Sequence, residues 1–289
     1  MAAALVLVGG GLLVAAVVGA FDGDDPTASA ALKVDRFNRD RAFADLRYQV
    51  ELGPRPAGSE TSRELAEWLS ERLPNGRLEP LRGGLQNVTG RIPGKGKPIL
   101  VAAHYDTKDI PGFVGANDGA GGTAAVLEIA RVMEKAKRPA GAPPIHFVLF
   151  DGEESPDDSK DFYATGLRGS KPYARKHAKK LQAMILLDFI AEKGGMRIPR
   201  ENSSSIELWS RLRAAARKVG AQSAFPDETA GTVIDDHTPF LRRGVPAIDL
   251  IDFTFDCWHR PCDDLDVVSA RSLDLAGEAV VQMLLDFRR

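Results

Sequence analysis

The sequence predicts an α/β fold, a sheet covered by helices on both faces, and two observations carry that expectation. Short β-rich apolar runs alternate along the chain with stretches of helical periodicity. Four of those runs end in acidic or histidine residues, at the carboxyl ends where open α/β sheets place their binding crevice. Composition agrees, since 289 residues with 44% hydrophobic and 27% charged side chains describe an ordinary globular chain. Lys plus Arg number 38 against 40 Asp plus Glu, a formal charge of −2, which excludes a basic nucleic-acid binder as a description of the whole chain.

Taken in order, the first element is a leader. Residues 1–21, MAAALVLVGGGLLVAAVVGAF, carry no charged side chain and are long enough to cross a bilayer as a helix. They read as a signal peptide or an N-terminal membrane anchor. Small residues at Val18-Gly19-Ala20 and Ala28-Ser29-Ala30 favour cleavage, and the length of the apolar run favours an anchor. Either reading puts the body outside the cytoplasm, secreted or membrane-anchored. No second run approaches spanning length, which excludes a polytopic membrane protein.

Residues 22–45 read as a linker and the start of the body, and 46–289 as one large domain. A capping box, Thr61-x-x-Glu64, predicts a helix over 61–73 with Leu65, Trp68, Leu69 and Leu73 on one face, stopped by Pro74-Asn75-Gly76. Strands are expected at Ile99–Ala103, Ile145–Phe150, Met184–Leu187 and Ala247–Ile251. Helices are expected at Gly122–Lys135, Lys171–Lys180, Ser204–Val219 and Ser269–Phe287. The first strand runs into His104-Tyr105-Asp106, the second into Asp151-Gly152-Glu153-Glu154 and the third into Asp188, while Trp258-His259 follows the fourth after a short loop.

The five histidines sort by context. His177 sits in a basic helix and reads as a solvated surface residue, and His146 lies inside a strand as a structural histidine. His104, His237 and His259 remain, each beside carboxylates. Asp106 is placed to fix the tautomer of His104. Asp118 precedes a helix, where it is either an N-cap or a carboxylate at the rim of the site. Adjacent Glu153 and Glu154 repel each other unless a cation or proton lies between them, so one suits a metal and the other a proton-transfer role. His104, Asp118, Glu154, Asp188 and His259 form an imidazole–carboxylate set suited to one or two Zn²⁺ ions. No phosphate-binding glycine loop and no G-x-S-x-G elbow is present, which demotes nucleotide and serine hydrolases. Cys257 and Cys262 read as a short-loop disulfide formed in an oxidising compartment, with free thiols as the alternative.

In order along the chain, LGPRPAGS (52–59), AAHYDTK (102–108), GANDGAGG (115–122), FDGEE (150–154), GLRGS (166–170), LLDF (186–189), DDHTPFLRRGVP (235–246) and Trp258-His259 resemble metallopeptidase family 28. That family holds zinc aminopeptidases and zinc-dependent glutaminyl cyclases. The resemblance implies a three-layer α/β/α fold with a mixed, mostly parallel sheet of the zinc exopeptidase type. It implies that Asp118 bridges two zinc ions, with Glu154 and His259 completing one site and His104 and Asp188 the other. Glu153 would be the acid/base residue, and Asp235 would join the catalytic hydrogen-bond network. Trp258 and His237 are expected on the substrate side.

GANDGAGG is closer to the aminopeptidase pattern, so the leading expectation is a two-zinc aminopeptidase acting on the N-termini of peptides or proteins. The DDHTPFLRRGVP string and Trp258-His259 resemble the cyclase branch, whose one-zinc conversion of N-terminal glutamine to pyroglutamate is the alternative. The chain departs from that branch at Asp249, where animal cyclases carry a histidine. A third class, an inactive surface binding module of the same fold, would be expected to have lost a ligand or the base, and all six positions are present. Partners expected are peptide N-termini and, through an uncleaved leader, a membrane, with no nucleic acid.

Overall fold

The computed structural model describes residues 31–137 and 139–287, so the uncharged run 1–21 and its candidate cleavage sequences lie outside the described residues. Six strands are present: β1 (Arg77–Pro80), β2 (Gln86–Ile92), β3 (Ile99–His104), β4 (Ile145–Phe150), β5 (Ala183–Leu187) and β6 (Ala247–Leu250). They form one sheet in the order β1-β2-β4-β3-β5-β6. The four strands from β4 to β6 are mutually parallel, and β2 and β1 add antiparallel at one edge. The sheet is therefore mixed and mostly parallel.

Eight α-helices lie among the described residues: α1 (Arg39–Glu51), α2 (Glu60–Ser70), α3 (Gly122–Lys135), α4 (Phe162–Thr165), α5 (Ser170–His177), α6 (Ile206–Val219), α7 (Thr238–Leu241) and α8 (Ala270–Asp286). Side chains alternate across the strands, as a period of two requires. Val101, Ala103, Phe147, Leu149, Ile185 and Leu187 pack into the larger core with α1, α3, α6 and α8. Leu100, Ala102, Val148, Phe150, Met184 and Leu186 face the opposite way, onto Tyr173 and Ala174 of α5 and Phe240 of α7. Both faces of the inner strands are buried, which is why they read as unbroken apolar runs.

Two local expectations are corrected. The cap of α2 is Ser59, whose hydroxyl accepts the Ser62 N–H at 3.0 Å, and Thr61 lies inside the helix. Ser59 has the extended φ of −66° and ψ of 168° that an N-cap needs, so the helix starts earlier than 61 and ends earlier than 73. Strands β1 and β2 were not expected, because RLEP and QNVTGRI carry too many polar residues to show an apolar run. The segment before residue 46 packs onto the rest of the chain. Phe37 is buried, its N–H donates to Glu278 at 2.7 Å, and the Arg41 guanidinium donates to Glu128 at 2.7 Å. No helix among the described residues is long and apolar enough to cross a membrane.

Candidate active site

The order of the inner strands puts the predicted residues side by side. His104 is the last residue of β3, its neighbour β4 leads into Glu153-Glu154, and its other neighbour β5 leads into Asp188. Between β3 and α3 the chain makes an irregular turn, Ala116–Gly121, that presents Asp118. Gly119 in this turn has φ +94°, and a Cβ there would lie 3.0 Å from the Asp106 carbonyl and 3.2 Å from the His104 ring. Only glycine lets the turn pass that close to the histidine.

Asp118 stands between the two histidines. His104 Nε2 is 3.2 Å from its Oδ1 and 3.5 Å from Asp188 Oδ1, while His259 Nε2 is 3.6 Å from its Oδ2 and 3.1 Å from Glu154 Oε1. The structure thus brings all five expected ligands into two trios that share one carboxylate. Both His104 ring nitrogens, Asp118 Oδ2 and Glu154 Oε2 are buried with no hydrogen-bond partner. Burial first, then the Glu154 charge, raises the carboxyl pKa of Asp118 and pushes that of Glu153 well up. Burial and Asp118 likewise raise Asp188. Burial opposes charge on His104, but Asp106, Asp118 and Asp188 outweigh it and raise its pKa well above the ordinary range. Buried acids that repel each other, with orphaned donor atoms at common centres, fit one or two divalent cations. Mixed imidazole and carboxylate donors suit zinc.

Backbone contacts hold the constellation rigid. Asp106 faces His104 Nδ1 at 3.5 Å and accepts the N–H groups of Glu153 at 3.1 Å and Glu154 at 3.3 Å. One carboxylate therefore anchors the main chain of both glutamates and faces the imidazole. Asp263 accepts the N–H groups of Asn117 at 2.8 Å and Asp118 at 3.0 Å. The fully buried Arg55 guanidinium donates to the carbonyls of Tyr105, Val114 and Gly115, pinning the same segment from the other side. Cys257 and Cys262 are joined as a disulfide, closing the loop that carries Trp258 and His259. His259 itself takes φ 53°, an uncommon backbone for a residue with a side chain.

The ligands open into a pocket of about 810 Å³ lined by Glu153, Asp235, Trp258, Lys108, Phe253 and Ile234 among others. Trp258 stacks on His259 with ring centroids 4.6 Å apart. His237 does not line the pocket. It is fully buried near Asp235, with Nε2 3.1 Å from the Ser203 hydroxyl and 3.4 Å from Glu201, and Nδ1 3.5 Å from Asp249. Burial pushes Asp235 up to about 6, and burial with the Asp235 charge pushes Asp249 well above the carboxylate range. Asp249 is thus a buried carboxyl beside His237 whose proton is harder to remove than usual. Lys108 donates from a buried ammonium to the Ser155 carbonyl and to Asp158, 3.7 Å from Glu154.

Comparison with known proteins extends these observations. The glutaminyl-peptide cyclotransferase-like protein of Mus musculus is 29% identical over 219 residues, 64% of this chain and 56% of that protein. Aminopeptidase YwaD of Bacillus subtilis is 29% identical over 196 residues, 63% of this chain and 39% of its own length. The chain spans less than two thirds of the length of these curated relatives. The solved glutaminyl cyclase of Porphyromonas gingivalis superposes with a TM-score of 0.78 at 28% identity, covering 88% of this chain and 99% of that one. A Zn-dependent exopeptidase of Parabacteroides distasonis gives 0.75 at 25% identity, covering 87% and 99%. The profile of peptidase family M28 matches residues 87–284, a span that contains all five ligand candidates and Glu153, and the chain belongs to that family.

Proposed function

We propose that the chain is a zinc-dependent glutaminyl cyclase, which closes the N-terminal glutamine of peptides into a pyroglutamyl ring and releases ammonia. This reverses the order in which the sequence alone ranked the two activities. The observation that carries the reading is the likeness to a solved glutaminyl cyclase over 88% of the chain at 28% identity. Further curated relatives at 27–29% identity, from Drosophila melanogaster, Bos taurus, Bothrops jararaca and Gloydius blomhoffii, carry the cyclotransferase name as well.

Asp118, Glu154 and His259 would hold the zinc, which when bound supplies Lewis-acid polarisation of the substrate amide carbonyl. The rest is the work of the chain. Glu153 takes a proton from the substrate's own α-amine and delivers it to the departing ammonia. The bond from amine nitrogen to Cδ forms, and the bond from Cδ to the amide nitrogen breaks. Asp106 sets the direction of Glu153 through its main-chain N–H. Trp258 and Ile251 line the pocket that would receive the glutaminyl residue.

A second reading, the aminopeptidase, is favoured by one specific observation. The His104–Asp118–Asp188 trio is complete, as a two-zinc peptidase would need. In that reading Glu153 receives its proton from the attacking water and passes it to the leaving amine. In both readings the substrate is a peptide N-terminus, and the uncharged run 1–21 supports export of the body, secreted or held at a membrane.

Incubation of zinc-loaded protein with a glutaminyl peptide, followed by mass spectrometry, separates the two. The cyclase reading expects a product lighter by one ammonia and no free amino acid. Release of glutamine overturns it.

A further inference from the structure

Of the five candidate metal ligands, His259 is the one that burial holds least. Its side chain is 24% exposed, against 2% for His104, 3% for Asp118, 5% for Glu154 and 9% for Asp188. The other four stand at or just past strand ends or in the glycine turn, whereas His259 lies in a loop and takes φ 53°. A residue with a side chain keeps that backbone only where its surroundings over-determine it.

The restraints on this loop are unequal. On the carboxyl side the Asp263 N–H donates to the Arg260 carbonyl at 3.0 Å, and the Asp263 carboxylate accepts the N–H groups of Asn117 and Asp118 at 2.8 and 3.0 Å. On the amino side the main-chain bonds are longer. The Asp252 N–H reaches the Phe189 carbonyl at 3.4 Å, Phe255 reaches Asp252 at 3.4 Å and Trp258 reaches Phe255 at 3.3 Å. The disulfide from Cys257 to Cys262 ties this loosely held end to the anchored one, with His259 between them. It closes a sequence separation of only five residues, and the constraint that a disulfide places on the unfolded chain grows with the loop it closes. Cys262 is exposed and Cys257 half-buried, and exposed disulfides form the labile class that thiols reach.

We propose that the Cys257–Cys262 disulfide is a positioning element for His259, and that its reduction by a dithiol in the surroundings weakens zinc binding at the Asp118–Glu154–His259 trio. One thiol of the reductant, as its thiolate, attacks Cys262 Sγ, the S–S bond breaks and Cys257 leaves with a proton. The second reductant thiol then closes on the first, and Cys262 leaves with the other proton. Two electrons pass to the protein, and the reductant ends as a disulfide. Without the bond His259 relaxes to an ordinary backbone, and its Nε2 leaves Glu154 Oε1, now 3.1 Å away, and Asp118 Oδ2, now 3.6 Å away. The inference rests on the proposed function for zinc at this trio alone and not for the reaction done there.

The test measures zinc binding to metal-free full chain by competition with a chromophoric chelator. Oxidised parent is compared with parent reduced by a phosphine and desalted, and with the double variant Cys257→Ser, Cys262→Ser, which has no thiol to bind metal. Both should bind zinc about 10–100-fold more weakly, and reoxidation of the reduced parent should restore its affinity. In a His259→Ala background the two serine changes should alter affinity by less than about twofold, since the disulfide acts through the side chain removed. An unchanged affinity in either protein overturns the inference, as does an undiminished loss in the His259→Ala background. Should the serine variant not fold, the reduced parent decides by the same criterion. A reduced parent that itself unfolds, read by circular dichroism, overturns the inference as well, because the bond would then staple the whole fold. Oxidised parent that binds no zinc refutes the metal centre, whereas zinc binding indifferent to reduction refutes the role of the disulfide alone. No turnover is needed, so failure of the cyclase reading leaves the result standing.

Discussion

Glu153 sits 7% exposed on the pocket wall, its main chain tied to Asp106 and its carboxyl pushed toward the protonated form by burial and by Glu154. Replacing it by glutamine leaves every candidate metal ligand in place. Glu153→Gln is expected to keep its zinc, read by elemental analysis, and to lose about 10²–10⁴-fold in kcat. Near-normal turnover would remove Glu153 from the mechanism. Glu201 gives a second residue-scale expectation. Burial alone would push its carboxyl up, but His237, the Ser203 N–H and the Ser203 hydroxyl bring it from 4.5 down to about 2. A depressed acid stabilises the fold above its ordinary pKa and loses that contribution as pH falls through the folded value. Up to about 3 kcal/mol is therefore lost between the two values, and Glu201→Gln should flatten that acid limb in chelated protein followed by urea unfolding. A limb of unchanged slope would contradict it. The candidate ligands were legible in the sequence because each stands at a strand end or in a glycine turn, next to an apolar run that gives it away. Glu201 and Asp263 were not, since their roles depend on partners 36 residues away (His237) or more than a hundred residues away (Asn117).

The elements that matter most are short. The disulfide between Cys257 and Cys262 closes the loop bearing His259, and the residue just after it, Asp263, receives the Asn117 and Asp118 N–H groups. One segment thus positions two donors of the same trio. Asp263→Ala leaves both N–H groups buried without an acceptor and lets the Asp118 turn relax. Zinc affinity, measured by competition with a chromophoric chelator, should weaken by about 10–100-fold. An unchanged affinity would confine Asp263 to a structural role. At this scale the sequence was a good guide to the interior and a poor one to the margins. Strands β3 to β6 announce themselves as apolar runs, being covered on both faces. The edge strands β1 and β2 are mixed in character, and α1 buries Asp45 and Gln49 beside Ala42 and Leu46, which dilutes the apolar stripe that would have marked it.

Across the whole molecule, a net charge of −2 conceals a concentration of buried acids where β4, β3 and β5 end. Asp118, Glu153, Glu154, Asp188 and Asp235 line one crevice, and their mutual repulsion opposes folding until a cation or protons offset it. Zinc in hundredfold excess over its Kd should stabilise the fold by about 2.7 kcal/mol, or roughly 5–10 °C in Tm, relative to chelated protein. A Tm indifferent to chelation would speak against a metal centre built from these groups. The fold class followed from the alternation of runs and helices, and the family from the ordered motifs. The choice of reaction did not, because the cyclase and peptidase readings share all five candidate ligands and the base.

That choice is best measured by titrating zinc into metal-free protein in the presence of a glutaminyl and a leucyl peptide together, with both products followed by mass spectrometry. Ring closure of the glutaminyl peptide should reach its plateau at one zinc per chain while the leucyl peptide stays intact. Release of leucine, rising only as a second equivalent of zinc binds, would contradict the cyclase and establish the two-metal peptidase.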